Sequence, residues 1–406
     1  MLCQFSFKNF LSYKDETVFD FQASTIPELS SSLITMNNAS PLLPVGVVYG
    51  PNGGGKTNLL KALACLISTV VRPIADLGKA RESLILQHGV PCVPFLLDNH
   101  SKDEESAFQV FFRAGKNEYQ YNLSILNDEV SSESLYWRAI GGKKTGVVFE
   151  RDEAVINLGA SINKSSVNTQ VNPKMPYLSF LAINYDFQII AEVIKWFESC
   201  IIQSYANPLV DRRVLIVDEA ATKKRLIRAL NDLDIDIADY RFNEDEKTLY
   251  TIRTVDGKNY ELPFGYESDG TRKLLAALPI ILLALRQGRL VVVDELDAKL
   301  HPKLLRYIIK LFHDPDVNKF GSQLVFSSHD LTTMKSDVFR RDEIWFACRS
   351  ESHDSQIYSL YDIRDESGKH INSTAAFDKQ YLEGRYGADP YLQNILGSEW
   401  NELEAN

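Results

Sequence analysis

The chain has 406 residues, of which 45% are apolar and 24% charged, as in an ordinary globular protein with one large domain or two modest ones. Its net charge of −10 argues against a surface coated with basic residues for non-specific nucleic-acid binding. Five cysteines without metal-type spacing favour a reduced cytoplasm over a disulfide framework. The longest apolar run, residues 274–285, is too short to span a bilayer, so we expect a cytoplasmic protein without a membrane partner.

The first elements along the chain surround a glycine-rich loop. Residues 5–10 alternate apolar and polar side chains, and a second strand-like stretch at 17–21 follows a turn, which predicts a β-hairpin. Residues 43–49 indicate a buried strand that enters the loop. The apolar spacing of residues 58–71 then predicts a helix.

The rest of the chain changes pattern twice. Antiparallel strands are predicted between residues 105 and 155, helices between 175 and 240, and a strand and helix alternation from 247 to 349. We therefore predict three regions, which are an N-terminal lobe with the glycine-rich loop and a β subdomain at 1–160, a mainly helical insertion at 161–246, and a C-terminal lobe at 247–406.

The glycine-rich loop at residues 50–57 matches the phosphate-binding pattern G-x-x-x-x-G-K-[ST]. Glycines let main-chain N–H groups turn toward phosphates, Lys56 reaches the β and γ phosphates, and the Thr57 hydroxyl binds Mg²⁺. The strand before the loop and the helix after it place the phosphates at a helix N-terminus. The pattern predicts ATP and Mg²⁺, bound by Asn52, Gly53, Gly54, Gly55, Lys56, Thr57 and Asn58.

Two stretches resemble the strand that ends in a metal-binding carboxylate, residues 214–219 and residues 290–295. The first leads into an amphipathic helix, where Asp218 and Glu219 suit a helix N-terminus. The second is followed by a further buried strand, residues 323–329, which ends in a histidine.

We select the second stretch. Asp294 is then the residue that orients Mg²⁺ through water, and Glu295 the general base for the attacking water. His329 donates to the γ-phosphate.

Together these motifs resemble an ABC-type ATPase head of the RecF, SMC and OLD kind, over residues 1–66 and 262–390. The resemblance rests on the phosphate loop, Asp294, Glu295 and His329, and on the segments 9–13, 267–274 and 300–302. More narrowly, the chain is similar to the compact AAA-type ATPases of bacterial phage-defence and abortive-infection systems, the AbiL-like and RloA-like group, which has counterparts of residues 381–387.

This resemblance implies an α/β fold, a P-loop ABC-type ATPase head with an antiparallel β subdomain and a mainly helical insertion. It also implies a homodimer or higher homo-oligomer that closes head to tail around ATP. Ser268, Gly270 and Thr271 would then cap the γ-phosphate held by the partner's loop, although a plain helix N-cap would use the same residues.

The sequence departs from the wider family pattern in three places. Leu11 stands where arginine is common, and His301 stands where many heads carry an aspartate that acts on the partner. The glutamine that senses the nucleotide has two candidates, Gln87 and Gln109.

The sequence does not indicate two additions that related proteins carry, a coiled-coil arm and a nuclease site. The interval between the phosphate loop and residue 268 lacks the heptads of an SMC coiled-coil arm. Beyond His329, the residues Asp362, Asp365 and Glu366 cluster in a turn-rich stretch, which favours solvated acids over an OLD-type nuclease site.

We therefore expect a nucleotide-gated switch or sensor in a bacterial anti-phage defence complex, which controls a separately encoded effector, a nuclease or toxin. A second interpretation is a RecF-like DNA-repair ATPase that clamps nucleic acid directly, for which residues 223–228 offer a basic surface. A transporter subunit ranks last, because the L-S-G-G-Q signature is absent.

Overall fold

The computed structural model describes residues 1–78, 89–162, 167–204, 220–243, 248–365 and 367–388. Its strands are β1 (Leu2–Lys8), β2 (Thr17–Asp20), β3 (Val45–Tyr49), β4 (Ser106–Ala114), β5 (Asn117–Leu126), β6 (Glu129–Ala139), β7 (Gly146–Asp152), β8 (Val155–Leu158), β9 (Ile201–Ser204), β10 (Asp239–Phe242), β11 (Leu249–Val255), β12 (Lys258–Pro263), β13 (Leu290–Asp294), β14 (Gln323–Ser327), β15 (Ile344–Arg349) and β16 (Ser355–Ser359). Its helices are α1 (Lys56–Asp76), α2 (Tyr177–Asn184), α3 (Gln188–Ser199), α4 (Ala220–Asp232), α5 (Asp269–Gln287), α6 (Pro302–His313) and α7 (Phe377–Leu382).

A six-stranded sheet forms the centre of the molecule, in the order β16-β15-β3-β14-β13-β9. The strands from β15 to β9 run parallel, and β16 pairs antiparallel at the edge. Strands β3 and β14 are buried along their whole length, which is why their sequences are near-continuous apolar runs. Because the strands are parallel, the carboxyl ends of β3, β13 and β14 meet at one edge.

The central sheet is covered on both faces. Side chains alternate across β13 and β14, so Leu290, Val292 and Val325 pack with α1, whereas Val291 and Phe326 pack with α5 and α6. Beyond α1 lies a seven-stranded antiparallel sheet in the order β2-β1-β4-β5-β6-β7-β8. Helix α1 is thus enclosed between two sheets, and this enclosure fixes the position of its N-terminus.

Helix α1 is long and apolar enough to cross a bilayer, but 67% of its apolar window is buried inside the fold. Helices α2 and α3 would reach such a length only as one span, which a bend of 114° interrupts. Burial of this kind is typical of a core helix.

Several predicted elements are confirmed. Strands β1 and β2 form the expected hairpin, and α2, α3 and α4 lie within the stretch 175–240 where helices were predicted. The region 161–246 contributes α2, α3 and α4, but it also supplies β10 and, beside β13, the edge strand β9. This strand was not predicted, because four residues do not establish a periodicity.

Gln323 connects the two large sheets. Its buried amide donates to the Leu2 carbonyl at 2.9 Å and to the Leu43 carbonyl at 3.1 Å, and its Oε1 accepts from Leu2 N at 2.6 Å. All three partners are main-chain groups, and removal of the amide leaves them buried without a partner.

We expect Gln323→Leu to lower the free energy of unfolding by about 3 kcal/mol, since each unsatisfied buried group costs roughly 1–3 kcal/mol. Urea denaturation followed by circular dichroism measures this change. The matched control is Gln22→Leu at an exposed position, where the expected change stays within about 0.5 kcal/mol. Equal stability of the two variants would contradict the bridging role.

Candidate nucleotide-binding site

The loop between β3 and α1 turns through conformations that favour glycine. Gly50, Gly53 and Gly55 have φ angles of 146°, 78° and 112°. The residue before α1, Gly55, provides no side-chain cap, so the first N–H groups of the helix are not satisfied by a capping side chain. Such a helix start binds anions, because unpaired N–H groups and the helix dipole both favour negative charge.

The glycines of this loop are needed for different reasons. A Cβ at Gly50 would lie 2.0 Å from the Ala347 carbonyl oxygen, and one at Gly54 would lie 2.6 Å from the same atom. The loop therefore packs directly against the main chain of β15. At Gly53 no heavy atom lies within 4 Å of the added Cβ, so this residue faces open space.

The segment 9–13, noted in the sequence, supports the loop from the other side. Tyr13 OH donates to the Gly55 carbonyl at 3.2 Å, and Asn58 Nδ2 donates to Ser12 Oγ at 2.8 Å. Ser355 Oγ donates to the same Ser12 oxygen at 2.8 Å. Leu11, at the position where an arginine is common, donates its main-chain N–H to the Val93 carbonyl at 2.8 Å.

Lys56 is buried and folded back on the loop. Its ammonium donates to the carbonyls of Gly50 at 2.8 Å and Pro51 at 3.0 Å. Burial lowers the pKa of Lys56, while the nearby carboxylates of Asp294, Asp297 and Glu295 oppose that shift. An ammonium held by neutral carbonyls can exchange them for phosphate oxygens, which are stronger acceptors.

The two residues predicted to bind magnesium are in contact. Thr57 Oγ1 donates to Asp294 Oδ1 at 3.2 Å, and Ser327 Oγ donates to the same oxygen at 2.6 Å. Hydroxyl and carboxylate oxygens are the ligands that Mg²⁺ prefers, and it is commonly held by one carboxylate together with substrate phosphates. Thr57 and Asp294 therefore fit a magnesium ion.

Glu295 follows β13 in a left-handed conformation, with φ of 54°. Its main-chain N–H donates to Ser327 Oγ at 2.8 Å. Ser327 was not singled out in the sequence, because a serine at a strand end has many structural uses; only the pairing of β13 with β14 reveals its position.

Lys273 on α5 is a second residue that the sequence did not reveal. It is fully buried, and its ammonium donates to the carbonyls of Glu295 at 2.9 Å and Ala298 at 2.6 Å. Burial lowers the pKa of Lys273 to about 8, while Asp297 and Glu295 raise it. In the sequence, Lys273 lies in the segment 267–274 that carries the resemblance, but no role was predicted for it.

His329 lies two residues beyond β14, and its main-chain N–H donates to Asp297 Oδ2 at 2.9 Å. The other carboxylate oxygen of Asp297 is buried and has no hydrogen-bond partner within the described part of the chain. The segment after β13 is thereby attached to the segment after β14.

These side chains line one cleft at the carboxyl edge of the central sheet. The lining residues are Pro51, Asn52, Gly53, Gly55, Lys56, Thr57, Asn58, Asp294, Glu295, Ser327 and His329. The structure thus brings the phosphate loop, both selected carboxylates and the histidine together.

Ser268, Gly270 and Thr271 are not among the described residues that line this cleft. They lie at the start of α5, where Ser268 Oγ accepts from Thr271 N at 3.1 Å as an N-cap does. A role toward a partner's phosphate stays a prediction. The segment before them is anchored, because the buried Glu267 accepts from Thr251 at 2.5 Å and Arg253 at 2.9 Å.

The other candidate residues of the sequence lie elsewhere. Gln109 is on β4 and donates to Asn122 at 2.7 Å, away from the cleft, and His301 caps α6. Asp365 accepts main-chain N–H groups of its own turn. Outside the described residues lie Gln87, Asp218, Glu219 and Glu366.

A protein-family model described as "AAA domain, putative AbiEii toxin, Type IV TA system" matches residues 46–335. The chain belongs to this family. The matched range contains the phosphate loop, Asp294, Glu295 and His329, so members of this AAA family share the region that forms the cleft. The chain is accordingly a P-loop domain of the AAA type.

Solved structures similar to the chain include the SMC head domain from Thermotoga maritima, with 12% identity over 88% of this chain and 98% of that chain at a TM-score of 0.44. The Smc head domain with a coiled coil and joint from Pyrococcus yayanosii has 9% identity over 95% of this chain and 99% of that chain, at a TM-score of 0.44. The cbiO1 protein from Clostridium perfringens, part of an ABC transporter complex, has 16% identity over 44% of this chain and 61% of that chain, at a TM-score of 0.22. No curated protein matches the chain.

Alanine at two of the loop glycines separates close packing from backbone conformation. Gly53→Ala introduces only a left-handed alanine, which costs about 1–2 kcal/mol. Gly50→Ala places alanine at φ of 146°, which L-residues rarely adopt, and also puts a Cβ 2.0 Å from the Ala347 carbonyl oxygen, so the loop must move. Thermal unfolding without nucleotide should therefore show a clearly lower midpoint for Gly50→Ala than for Gly53→Ala. Equal midpoints would mean that the loop does not pack on β15 as described.

Proposed function

We propose that this cleft binds and hydrolyses ATP. The observation that carries the proposal is the hydrogen-bonded chain from Thr57 through Asp294 and Ser327 to Glu295, which joins the phosphate loop to the ends of two parallel strands. A phosphoryl-transfer site needs little more than this positioning, because its catalysis is mostly orientation and charge stabilisation.

Each residue of the cleft has its own role in the proposed reaction. The loop N–H groups and Lys56 bind the phosphates, and Glu295 orients and deprotonates the attacking water. His329 donates to the γ-phosphate, where negative charge develops. Thr57 and Asp294 would hold Mg²⁺, which when bound neutralises charge on the phosphate oxygens.

The proposed active form is a head-to-tail homodimer, or a larger homo-oligomer built from the same contact. Ser268 is exposed at the N-terminus of α5, with Gly270 and Thr271 in the first turn. A helix of this length presents a positive dipole end, which suits the γ-phosphate bound by another copy. The anchoring of Glu267 keeps this segment rigid, which supports a docking role.

We place this ATPase in the cytoplasm, as a switch in a bacterial anti-phage defence complex with a separately encoded effector, a nuclease or toxin. The family description, which names a toxin of a type IV toxin–antitoxin system, supports a defence role. The narrower resemblance to AbiL-like and RloA-like ATPases agrees with it.

We expect Glu295→Gln to bind ATP normally and to hydrolyse it at least about 100-fold more slowly, because general-base catalysis contributes 10²–10⁴-fold. With ATP and Mg²⁺ the variant should elute as a stable dimer in size-exclusion chromatography. Glu219→Gln is the matched control and should behave like the unmodified protein. If Glu219→Gln instead slowed hydrolysis and trapped the dimer, the wrong pair of carboxylates would have been assigned.

The effector can be identified by comparing two tagged variants of the chain in the native host. Tagged Glu295→Gln, closed on ATP, and tagged Lys56→Ala, which we expect not to bind ATP, are purified and analysed by mass spectrometry. A nuclease or toxin enriched with only one of them supports nucleotide-gated control. Nuclease activity of the purified chain alone that survives Lys56→Ala would overturn the switch.

A further inference from the structure

Two contacts connect the start of α5 to the segment that follows β13. The Lys273 ammonium donates to the carbonyls of Glu295 and Ala298, and Asp269 forms an ion pair with Lys299 at 3.0 Å. The Lys273 side chain is buried, whereas both side chains of the ion pair are about half exposed. An exposed ion pair contributes little, so the buried lysine is the stronger connection.

The carbonyl of Glu295 accepts two hydrogen bonds, one from Ala298 N at 3.1 Å within its own turn and one from the Lys273 ammonium. Its residue adopts a left-handed conformation that costs an L-amino acid roughly 1–2 kcal/mol, and it does so directly after a regular strand. The N–H side is fixed by Ser327 Oγ at 2.8 Å and the carbonyl side by Lys273 at 2.9 Å. The Glu295 peptide groups are thus held from β14 on one side and from α5 on the other.

The same helix carries the predicted partner-facing segment. Lys273 lies five residues after Ser268, which is roughly 7.5 Å along a helix axis. A short stretch of helix moves as a unit, so a shift of its N-terminus also shifts the Lys273 side chain and the carbonyls that it binds.

We propose that Lys273 is a positioning residue, through which docking of the Ser268–Thr271 segment on a second copy's nucleotide sets the orientation of Glu295 in its own cleft. This inference rests on the proposed function. In the proposed dimer each nucleotide lies between the phosphate loop of one copy and helix α5 of the other copy. Each α5 then caps the nucleotide of one site and holds Glu295 of the other site, so hydrolysis at either site depends on both copies.

The test compares three variants by steady-state hydrolysis and by direct binding of ATP. Lys273→Met keeps the buried length of the side chain but removes the donor, and its kcat should fall about 10- to 100-fold, the loss that a small misplacement of a catalytic group causes. The KM and the affinity for ATP should change less than about threefold, because the phosphate loop is untouched. Lys273→Arg, which keeps a cationic donor, should recover most of kcat. Lys310→Met, the same change at an exposed position of α6, is the control and should leave both values unaltered.

A double-mutant cycle distinguishes positioning from general loss of structure. If Lys273 acts through Glu295, adding Lys273→Met to Glu295→Gln should lower single-turnover hydrolysis less than twofold further. Full additivity, or unchanged kcat in the single variant while the unmodified protein hydrolyses ATP, would overturn the inference alone. Should Lys273→Met fail to fold, Lys273→Gln, which is too short to reach both carbonyls, takes its place: loss of kcat at unchanged ATP affinity supports positioning, and unchanged kcat or loss of ATP affinity contradicts it. No hydrolysis by the unmodified protein would overturn the proposed function itself.

Discussion

The Ser327 hydroxyl lies between the ends of two parallel strands and bonds to both of the adjacent acidic residues. It accepts the Glu295 N–H at 2.8 Å, so its only proton is directed to Asp294 Oδ1 at 2.6 Å. Thr57 also donates its proton to that oxygen. Because a carboxylate oxygen accepts both of these bonds, the lone pairs of the Thr57 hydroxyl are left for a cation.

This arrangement depends on strand register. Val293 pairs with Phe326, which places Asp294 beside Ser327, and Phe326 in turn pairs with Val47 of the strand before the phosphate loop. A shift of one residue would turn Ser327 to the opposite face of the sheet. The register is secured by apolar side chains buried on both faces, so the chemistry of the cleft depends on the packing of the core around α1 and α5.

Much of the fold was predictable, and the reasons are visible in individual elements. Strands β3, β13 and β14 are continuous apolar runs because they are buried on both faces, and the glycine spacing of the loop admits few interpretations.

Residues that act through long-range contacts were not predictable. Ser327, Lys273 and Asp297 lie within or beside motifs that the sequence does show, but their contacts form only when distant strands and helices meet. The short strand β9 was missed for the same reason, because its place in the sheet depends on pairing with β13 and its own four residues establish no periodicity.

The negative charge of the cleft explains why nucleotide, a divalent cation and a second copy of the chain would have to bind together. The carboxylates of Asp294, Glu295 and Asp297 all act on Lys56, and two of them act on Lys273 as well. Nucleotide phosphates add further negative charge to the same small volume, where repulsion is weakly screened. One loop lysine cannot offset that charge. On the proposed function, a divalent cation at Thr57 and Asp294 and the positive helix end of a second copy supply the remainder, so closure of the dimer becomes favourable only when nucleotide and metal are both in place.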